Sequence, residues 1–369
     1  MKKSISFNGD FEYELLEKNQ PVVDLREQLA LLYSSPFTDI LLWELYDPLL
    51  TNEGYCKLFY YEQSVLKHII LLKYSDKAPK KIFVLNKEFK ISLEDIENIC
   101  HILFCEFDKV QQVVFEHIFD PDSKQTPKMI FQKTSNDVII LDLPESMDAY
   151  MKSLGTSTRK KIKLMMNRIE RDFPDLEVRH IEKSDILYEH IHQIVSLNRN
   201  RMKSKGVFSD LNDTESNVLH QYASTSGFGF LCLCTINGKL IGSTINTVIE
   251  QHAYMHVIAH DDSYSKYAVG QIALVHATKY LIEEKNIKFY HLLCGTHEYK
   301  FRHGGINHDL YTVRIFRNDG IYYFCTKIMI ALWKILKNNK ITYNFYSNLK
   351  KIIMKIKLKM WRSDSNEKI

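Results

Sequence analysis

The feature that most constrains this chain lies between residues 228 and 294. Three strand-like runs, Phe228–Ile236, Lys239–Glu250 and Gln251–His260, follow one another with almost no connecting sequence. Asn237-Gly238 separates the first two, and a two-residue loop of this kind is a strong hairpin signal. A tight junction near Glu250-Gln251 separates the second and third. A long helical pattern over 267–285 and a buried apolar strand over 288–294 complete the series. An antiparallel meander feeding a helix and then another strand is an α+β pattern built on a mixed sheet. Along 251–260, period-two alternation places Tyr254, His256, Ile258 and His260 on one face.

The flanks extend the pattern. An amphipathic helix over about 156–172 recurs at Ile162, Met165, Met166 and Ile169, the spacing of a buried stripe. A strand at Leu176–Ile181 and helices near 184–204 and 212–223 lead into the meander. A short helix at 296–302 and a strand at 309–316 follow it. Upstream, helical patterns around 24–32 and 92–106 flank strand-like runs at Lys57–Tyr61, Lys67–Lys73, Lys81–Leu85 and Gln112–His117. The polar, proline-containing segment Asp120–Thr134 reads as a loop, and Val138–Leu143 as a short strand at the join between halves. A length of 369 residues favours two domains. We place them at 1–140 and 141–320, followed by a basic tail at 321–369.

Composition narrows the class. With 45% hydrophobic and 25% charged residues, the chain can bury a sizeable core and is not a mostly disordered or collagenous one. Residues 321–369 hold 11 Lys/Arg against 2 Asp/Glu, a net of +9, whereas the preceding body holds 38 against 43, a net of −5. In 350–362, Lys351, Lys355, Lys359 and Arg362 follow helical spacing with Ile353, Ile356 and Met360 on another face, although 355–360 also alternates as a strand would. Tyr322, Phe324, Trp333 and Trp361 supply interfacial aromatics. Such a segment suits an anionic membrane surface, internal or dimer packing, or, with no recognised motif beside it, nucleic acid. The membrane surface is carried forward and nucleic acid is not. The seven cysteines are odd in number and form no CxxC pair, which fits reduced thiols in a cytosolic protein better than a zinc or disulfide framework. No apolar h-region follows the N-terminal lysines, and no 18-residue apolar run occurs. We therefore expect a cytoplasmic protein, peripheral on the inner face of the membrane where the tail docks, and no metal.

Chemistry-bearing residues concentrate in two loops. One follows His260 with Asp261-Asp262 and delivers Tyr267-Ala268-Val269-Gly270-Gln271 to the start of the long helix. Glycine there lets a phosphate approach unpaired N–H groups at the positive end of the helix dipole, though an ordinary turn would look the same. The other follows Cys294-Gly295 with Thr296-His297-Glu298-Tyr299-Lys300-Phe301-Arg302. Loops at strand ends commonly present chemistry. Equally, Tyr299 and Phe301 could cap a core while Lys300 and Arg302 point into water. The helix at 156–172 carries Arg159, Lys160, Lys161, Lys163, Arg168 and Arg171, either a solvated face or an anion site with Arg159 as its leading member.

The order strand, glycine-bearing loop, helix, strand and Gly295-x-x-x-Tyr299-Lys300-x-Arg302 resembles the GNAT acyltransferase superfamily. More narrowly it is similar to the cellulose-biosynthesis-type, or FemAB-like, acetyltransferase branch, whose basic helix start is matched by Ser153-Leu154-Gly155-Thr156-Ser157-Thr158-Arg159-Lys160-Lys161. The likeness covers about 140–318; over 20–140 such proteins carry a second, degenerate GNAT-like unit. The acyl-CoA loop departs from the usual Gln/Arg-x-x-Gly-x-Gly/Ala: Tyr267 stands first, Ile272 last, and Gly270 alone is retained.

The resemblance implies direct transfer of an acyl group, other than an aminoacyl group, from acetyl-CoA or another acyl-CoA to an amine or hydroxyl. It implies a cleft between splayed strands 251–260 and 288–294. His260 becomes the candidate base, with Asp262 orienting it or binding an amino group, and Tyr299 the phenol presented to the thiolate. Gly270, Gln271, Tyr267 and Lys300 become candidates for the cosubstrate, and Arg159, Glu298 and Arg302 for the acceptor. By analogy the acceptor is a sugar or lipid-linked small molecule in surface-polysaccharide or cell-envelope biosynthesis. Two alternatives stand beside this: a FemAB-like aminoacyl-tRNA-dependent transferase acting on a cell-wall precursor, and a non-catalytic adaptor docked to membrane by the tail.

Overall fold

The computed structural model describes residues 3–6, 10–17, 55–75, 80–121, 127–134, 137–182, 185–206, 209, 211, 213–224, 229–249 and 251–336. The expected helix around 24–32 and the tail residues 350–362 lie outside them. The chain divides into two compact units, 1–135 with 310–369, and 136–309.

The first unit is an eight-stranded sheet. Its strands are β1 (Lys3–Ser6), β2 (Asp10–Glu17), β3 (Tyr55–Glu62), β4 (Val65–Ser75), β5 (Lys81–Val84), β6 (Gln112–Ile118), β7 (Met129–Lys133) and a strand near the end of the chain, Tyr311–Phe316. The order is β1-β2-β3-β4-β5-β6, then Tyr311–Phe316, then β7. β5 and β6 are parallel, as the crossover through helix α1 (Leu93–Glu106) requires. Ser92 caps α1 by accepting from the Asp95 N–H at 3.0 Å. Ile96, Ile99, Ile102 and Leu103 of α1 meet Leu58, Ile70, Leu72 and Val113 of the sheet in one buried cluster.

Two expectations change here. Met129–Lys133, read as loop, is β7. Residues 311–316, placed with the second half, form a strand between β6 and β7. The reason is hydrogen bonding: β6 and β7 both leave an edge open, and the returning chain fills it with apolar Val313, Ile315 and Phe316.

The second unit opens with β8 (Val138–Asp142), α2 (Met147–Ser153) and α3 (Thr156–Asp172). Then come β9 (Leu176–Glu182), α4 (Tyr188–Ser204), α5 (Asp213–Ser224), β10 (Gly229–Ile236), β11 (Lys239–Ile249) and β12 (His252–His260). A 3-10 turn (Asp262–Tyr267) leads to α6 (Val269–Glu283), β13 (Phe289–Cys294), α7 (Glu298–Arg302) and β14 (Ile306–His308). Tyr311–Phe316 of the first unit is then β15, and Ile321–Leu336 is α8. The second sheet runs β14-β8-β13-β12-β11-β10-β9. Asn237 and Gly238 both have positive φ, 51° and 75°, the geometry of the hairpin turn their sequence specifies. Ile162, Met165 and Ile169 of α3 are buried as the periodicity predicts, and Met166 is half-buried against the same cluster. α6 covers one face of the sheet through Ile272, Ala273, Leu274 and Leu281. Ile191, Ile194 and Val195 of α4 cover the other.

The single-face reading of β12 does not hold. The register against β11 slips between Ile245 and Asn246, leaving His256 as an extra residue, a β-bulge. Ala253 and Met255 before the bulge join the cluster beneath α6, whereas Val257 and Ala259 after it join the cluster beneath α4. Tyr254 stacks on His291 at 4.3 Å, while Ile258 packs toward α6. His256 itself is tied to Thr247 Oγ1 at 2.7 Å.

Candidate active site

β12 and β13 run parallel but pair only over His252↔Phe289, Ala253↔Tyr290 and Tyr254↔His291. Beyond that point β13 is hydrogen-bonded on its other side, Cys294 opposite Val138 of β8. The two carboxyl-terminal ends therefore diverge, and the divergence begins next to the bulge. Crevices at the carboxyl ends of parallel strands are habitual ligand sites because neighbouring backbone groups there lack a strand partner.

His260 ends β12 on one lip. Its Nδ1 is buried without a hydrogen-bond partner and packs against Gly270, where an added Cβ would lie 2.9 Å away. Its Nε2 faces Asp262 Oδ1 at 3.8 Å. That gap is too long for a direct hydrogen bond and suited to a bridging water or acceptor group. Burial first, and then the positive charge of Arg201, push the imidazole down to about 4, Asp262 opposing them. It is neutral at pH 7. Asp262 accepts a hydrogen bond from Ser204 Oγ of α4. Asp261 caps the 3-10 turn at Ser263 N, 2.9 Å, and pairs with Lys239 at 2.7 Å.

Tyr299 stands on α7, five residues after the end of β13 on the other lip. It is half-buried against the α6-side cluster, and burial pushes its phenol up to about 12, the Arg201 charge acting the other way. Behind it lies Tyr290, wholly buried, donating to Asn246 Oδ1 at 2.6 Å. Tyr150 donates to the His303 carbonyl at 2.9 Å, anchoring the turn after α7 to α2.

Arg201 is the residue that sequence reasoning missed. It lies in a basic stretch at the end of α4 and just past it, Arg199 to Lys205, that looks like any solvated helix end. It is half-buried, its Nε enclosed and without a hydrogen-bond partner. A signal existed only in hindsight, since nothing in residue type marks which helical arginine turns inward.

The remaining candidates scatter. Gly270 is buried against His260, and Gln271 is half-buried beside it. Helix α6 is preceded by Ala268 in the left-handed region (φ 54°) with no side chain capping it, so its first turn keeps N–H groups to offer. Tyr267 is not exposed to this end. It is 4% exposed, its hydroxyl donates to Asp172 Oδ2 at 3.0 Å, and its ring meets Phe173 edge-on and Arg168 in a cation–π contact. It is a core residue holding the turn to α3. Lys300 is buried at 3% exposure. Glu298 and Arg302 pair with each other on the exposed side of α7. Arg159 reaches back to Thr156 Oγ1 at 3.4 Å, within its own helix. The described contacts do not join these last three to His260 or Tyr299.

Residues 156–301, which include α4, the meander, α6, β13 and most of α7, match the family profile described as "Acetyltransferase (GNAT) domain". The match falls within the second unit, which is thus similar to a GNAT-type acetyltransferase domain, in a chain of mixed α/β sheets consistent with two GNAT-like units. No curated protein matches the chain. Among solved structures, FemX superposes over 84% of this chain and 99% of its own, with a TM-score of 0.62 at 11% identity. The C-terminal DUF2156 domain of a putative lysylphosphatidylglycerol synthetase from Agrobacterium fabrum covers 78% and 91%, with a TM-score of 0.49 at 10% identity. A tandem GNAT protein from the clavulanic acid biosynthesis pathway covers 82% and 98%, with a TM-score of 0.41 at 9% identity. The likeness to FemX shows a shared fold.

Proposed function

We propose that the second unit is an acyl-CoA-dependent N- or O-acyltransferase working in the crevice between β12 and β13. The carrying observation is the early end of β12–β13 pairing, with His260 on one lip and Tyr299 following the other. A pantetheine arm entering there would meet backbone groups that neither strand uses, and the uncapped start of α6 beside Gly270 would face the cosubstrate phosphates.

The chemistry follows from the two lips. The acceptor N–H or O–H, bridging His260 and Asp262, attacks the thioester carbonyl. A C–N or C–O bond forms as the C–S bond breaks, the proton passes to neutral His260, and the Tyr299 O–H donates a hydrogen bond to the departing thiolate, which takes its proton from solvent as His260 releases its own. A phenol with its pKa near 12 keeps its proton at pH 7 and so has an O–H to offer to that thiolate. Sugar acceptors of envelope or polysaccharide biosynthesis remain the reading for substrate class, resting on the branch resemblance alone.

Tyr267 supports a second reading. Its side chain occupies the first position of the expected acyl-CoA loop but is committed to the core, which leaves room for a different activated donor, including an aminoacyl one. Thermal-shift titration with acetyl-CoA, longer acyl-CoAs and free CoA separates the readings. A dose-dependent rise, roughly 2.7 kcal/mol at 100 times the dissociation constant, is expected for a true cosubstrate. Flat midpoints at millimolar ligand would exclude it and leave the aminoacyl or adaptor readings. Tyr299→Phe should then lower transfer without lowering acyl-CoA affinity.

No helix among the described residues is long and apolar enough to cross a membrane. We assign α8 and the residues after it to an anionic membrane surface instead. Tyr322 of α8 is anchored to Gln112 at 2.9 Å, while Ile321, Phe324 and Ile328, at helical spacing, are each at least half exposed. The net +9 of 321–369 complements anionic headgroups. Phe324→Glu should weaken binding to vesicles containing phosphatidylglycerol, and binding that survives deletion of 321–369 would sink the assignment.

A further inference from the structure

We propose that Arg201 anchors an anionic oxyacid group, a carboxylate or phosphate, on the acceptor. The proposal rests on the acyl-transfer reading for the word acceptor, but the anion site itself stands on geometry.

Helix α4 is fastened to β12 at two points. Asn198 Nδ2 reaches the Ile258 carbonyl at 3.5 Å, and Ser204 Oγ bonds Asp262. Arg201 lies one turn from each, so it shares the face turned toward the last residues of β12. Its Nε is buried and unsatisfied, and among the described residues no carboxylate is paired with it. The nearby acid, Asp262, is held by Ser204 and faces His260 instead. A half-buried guanidinium without an acceptor carries a desolvation cost that folding does not recover. An oxyacid supplied by a ligand would recover it, and the planar fork matches a carboxylate or phosphate with two parallel bonds.

Position decides which reactant carries that group. Arg201 shares the α4 face fastened to Ile258 and Asp262 at the end of β12, and its positive charge acts on both His260 and Tyr299, as a position at the mouth of the crevice requires. The uncapped start of α6 lies beyond Gly270, behind the imidazole, and is the place for cosubstrate phosphates. The region in front of His260, where Lys205 adds a second positive charge to the field, is left for the acceptor. An acceptor held there by its anion would put its nucleophile in the gap between Nε2 and Asp262.

The test uses the full chain at constant ionic strength, titrated with inorganic phosphate, succinate, glucose 6-phosphate and glucose, read by calorimetry and thermal shift. The wild type should bind phosphate or succinate saturably in the millimolar range and glucose not at all. Comparing phosphate with succinate identifies the oxyacid. Arg201→Gln should weaken anion binding by roughly 10–100-fold while leaving the acyl-CoA midpoint rise unchanged. Arg201→Lys, which keeps charge without the fork, should fall between and serves if the glutamine variant does not fold. Absence of saturable anion binding to the wild type, or equal binding to Arg201→Gln, overturns the proposal. Arg201-dependent anion binding without any acyl-CoA response would sink the acyltransferase reading and leave the anion site standing.

Discussion

Gly270→Ala separates the stability of this fold from its chemistry. Gly270 sits in the first turn of α6 with its Cα against the His260 imidazole, and the added Cβ would lie 2.9 Å from Nδ1. Ordinary contact is about 3.5–4.0 Å, so the ring must retreat by about 0.6 Å or more. Two effects on stability oppose each other: alanine gains about 1 kcal/mol of helix propensity over glycine, and overpacking costs about 1–3 kcal/mol. The net is a loss of at most about 2 kcal/mol, or about 4–8 °C for a unit of this size. Catalysis has no such compensation. A displacement approaching 1 Å at a reacting group costs about 100-fold in rate. The assays are turnover, measured as CoA release, and ring resonances of histidine-labelled protein, with His260 assigned through His260→Gln. A folded variant with moved His260 resonances and turnover down about 100-fold is expected. Undiminished transfer with moved resonances would remove His260 from the mechanism, and unmoved resonances would refute the packing argument.

Two further outcomes follow from the same geometry. The folded state holds His260 near 4, against 6.5 when unfolded, so the unfolded chain binds more protons between those values. Stability is therefore full above pH 6.5 and is lost as pH falls toward 4, by at most about 3 kcal/mol for this group. His252, His256, His276 and His303, also held near 4 by burial, add with the same sign. Melting at stepped pH should show a shallower acid loss for His260→Gln than for the wild type, and identical slopes would contradict the enclosure of this ring. Tyr267→Phe removes only the hydrogen bond to Asp172, so calorimetry should find about 1 kcal/mol less stability and unchanged acyl-CoA affinity. A tenfold affinity loss would return Tyr267 to the cosubstrate loop.

The secondary structure of the second unit is local physics, and its sequence carries it openly. The Asn237-Gly238 turn, the apolar stripe of α3 and the run from β10 to β13 each follow from residue type and period over a few neighbours. For the same reason His260 and Tyr299 were legible as candidates: each sits where a strand ends and a loop begins. What required the tertiary structure were properties set by distant partners. The bulge at His256 arises from register against β11, and it puts Tyr254 and Ile258, which alternation assigns to one face, on opposite faces. β15 joins the first sheet because edges more than 170 residues upstream await a partner, which no local pattern encodes. Tyr267 and Arg201 show the same limit from opposite sides. A tyrosine in a loop and an arginine on a helix have no fixed direction in sequence. Packing turned the tyrosine into the core and left the arginine unpaired beside the crevice, because burial and charge pairing are settled only when the whole unit closes.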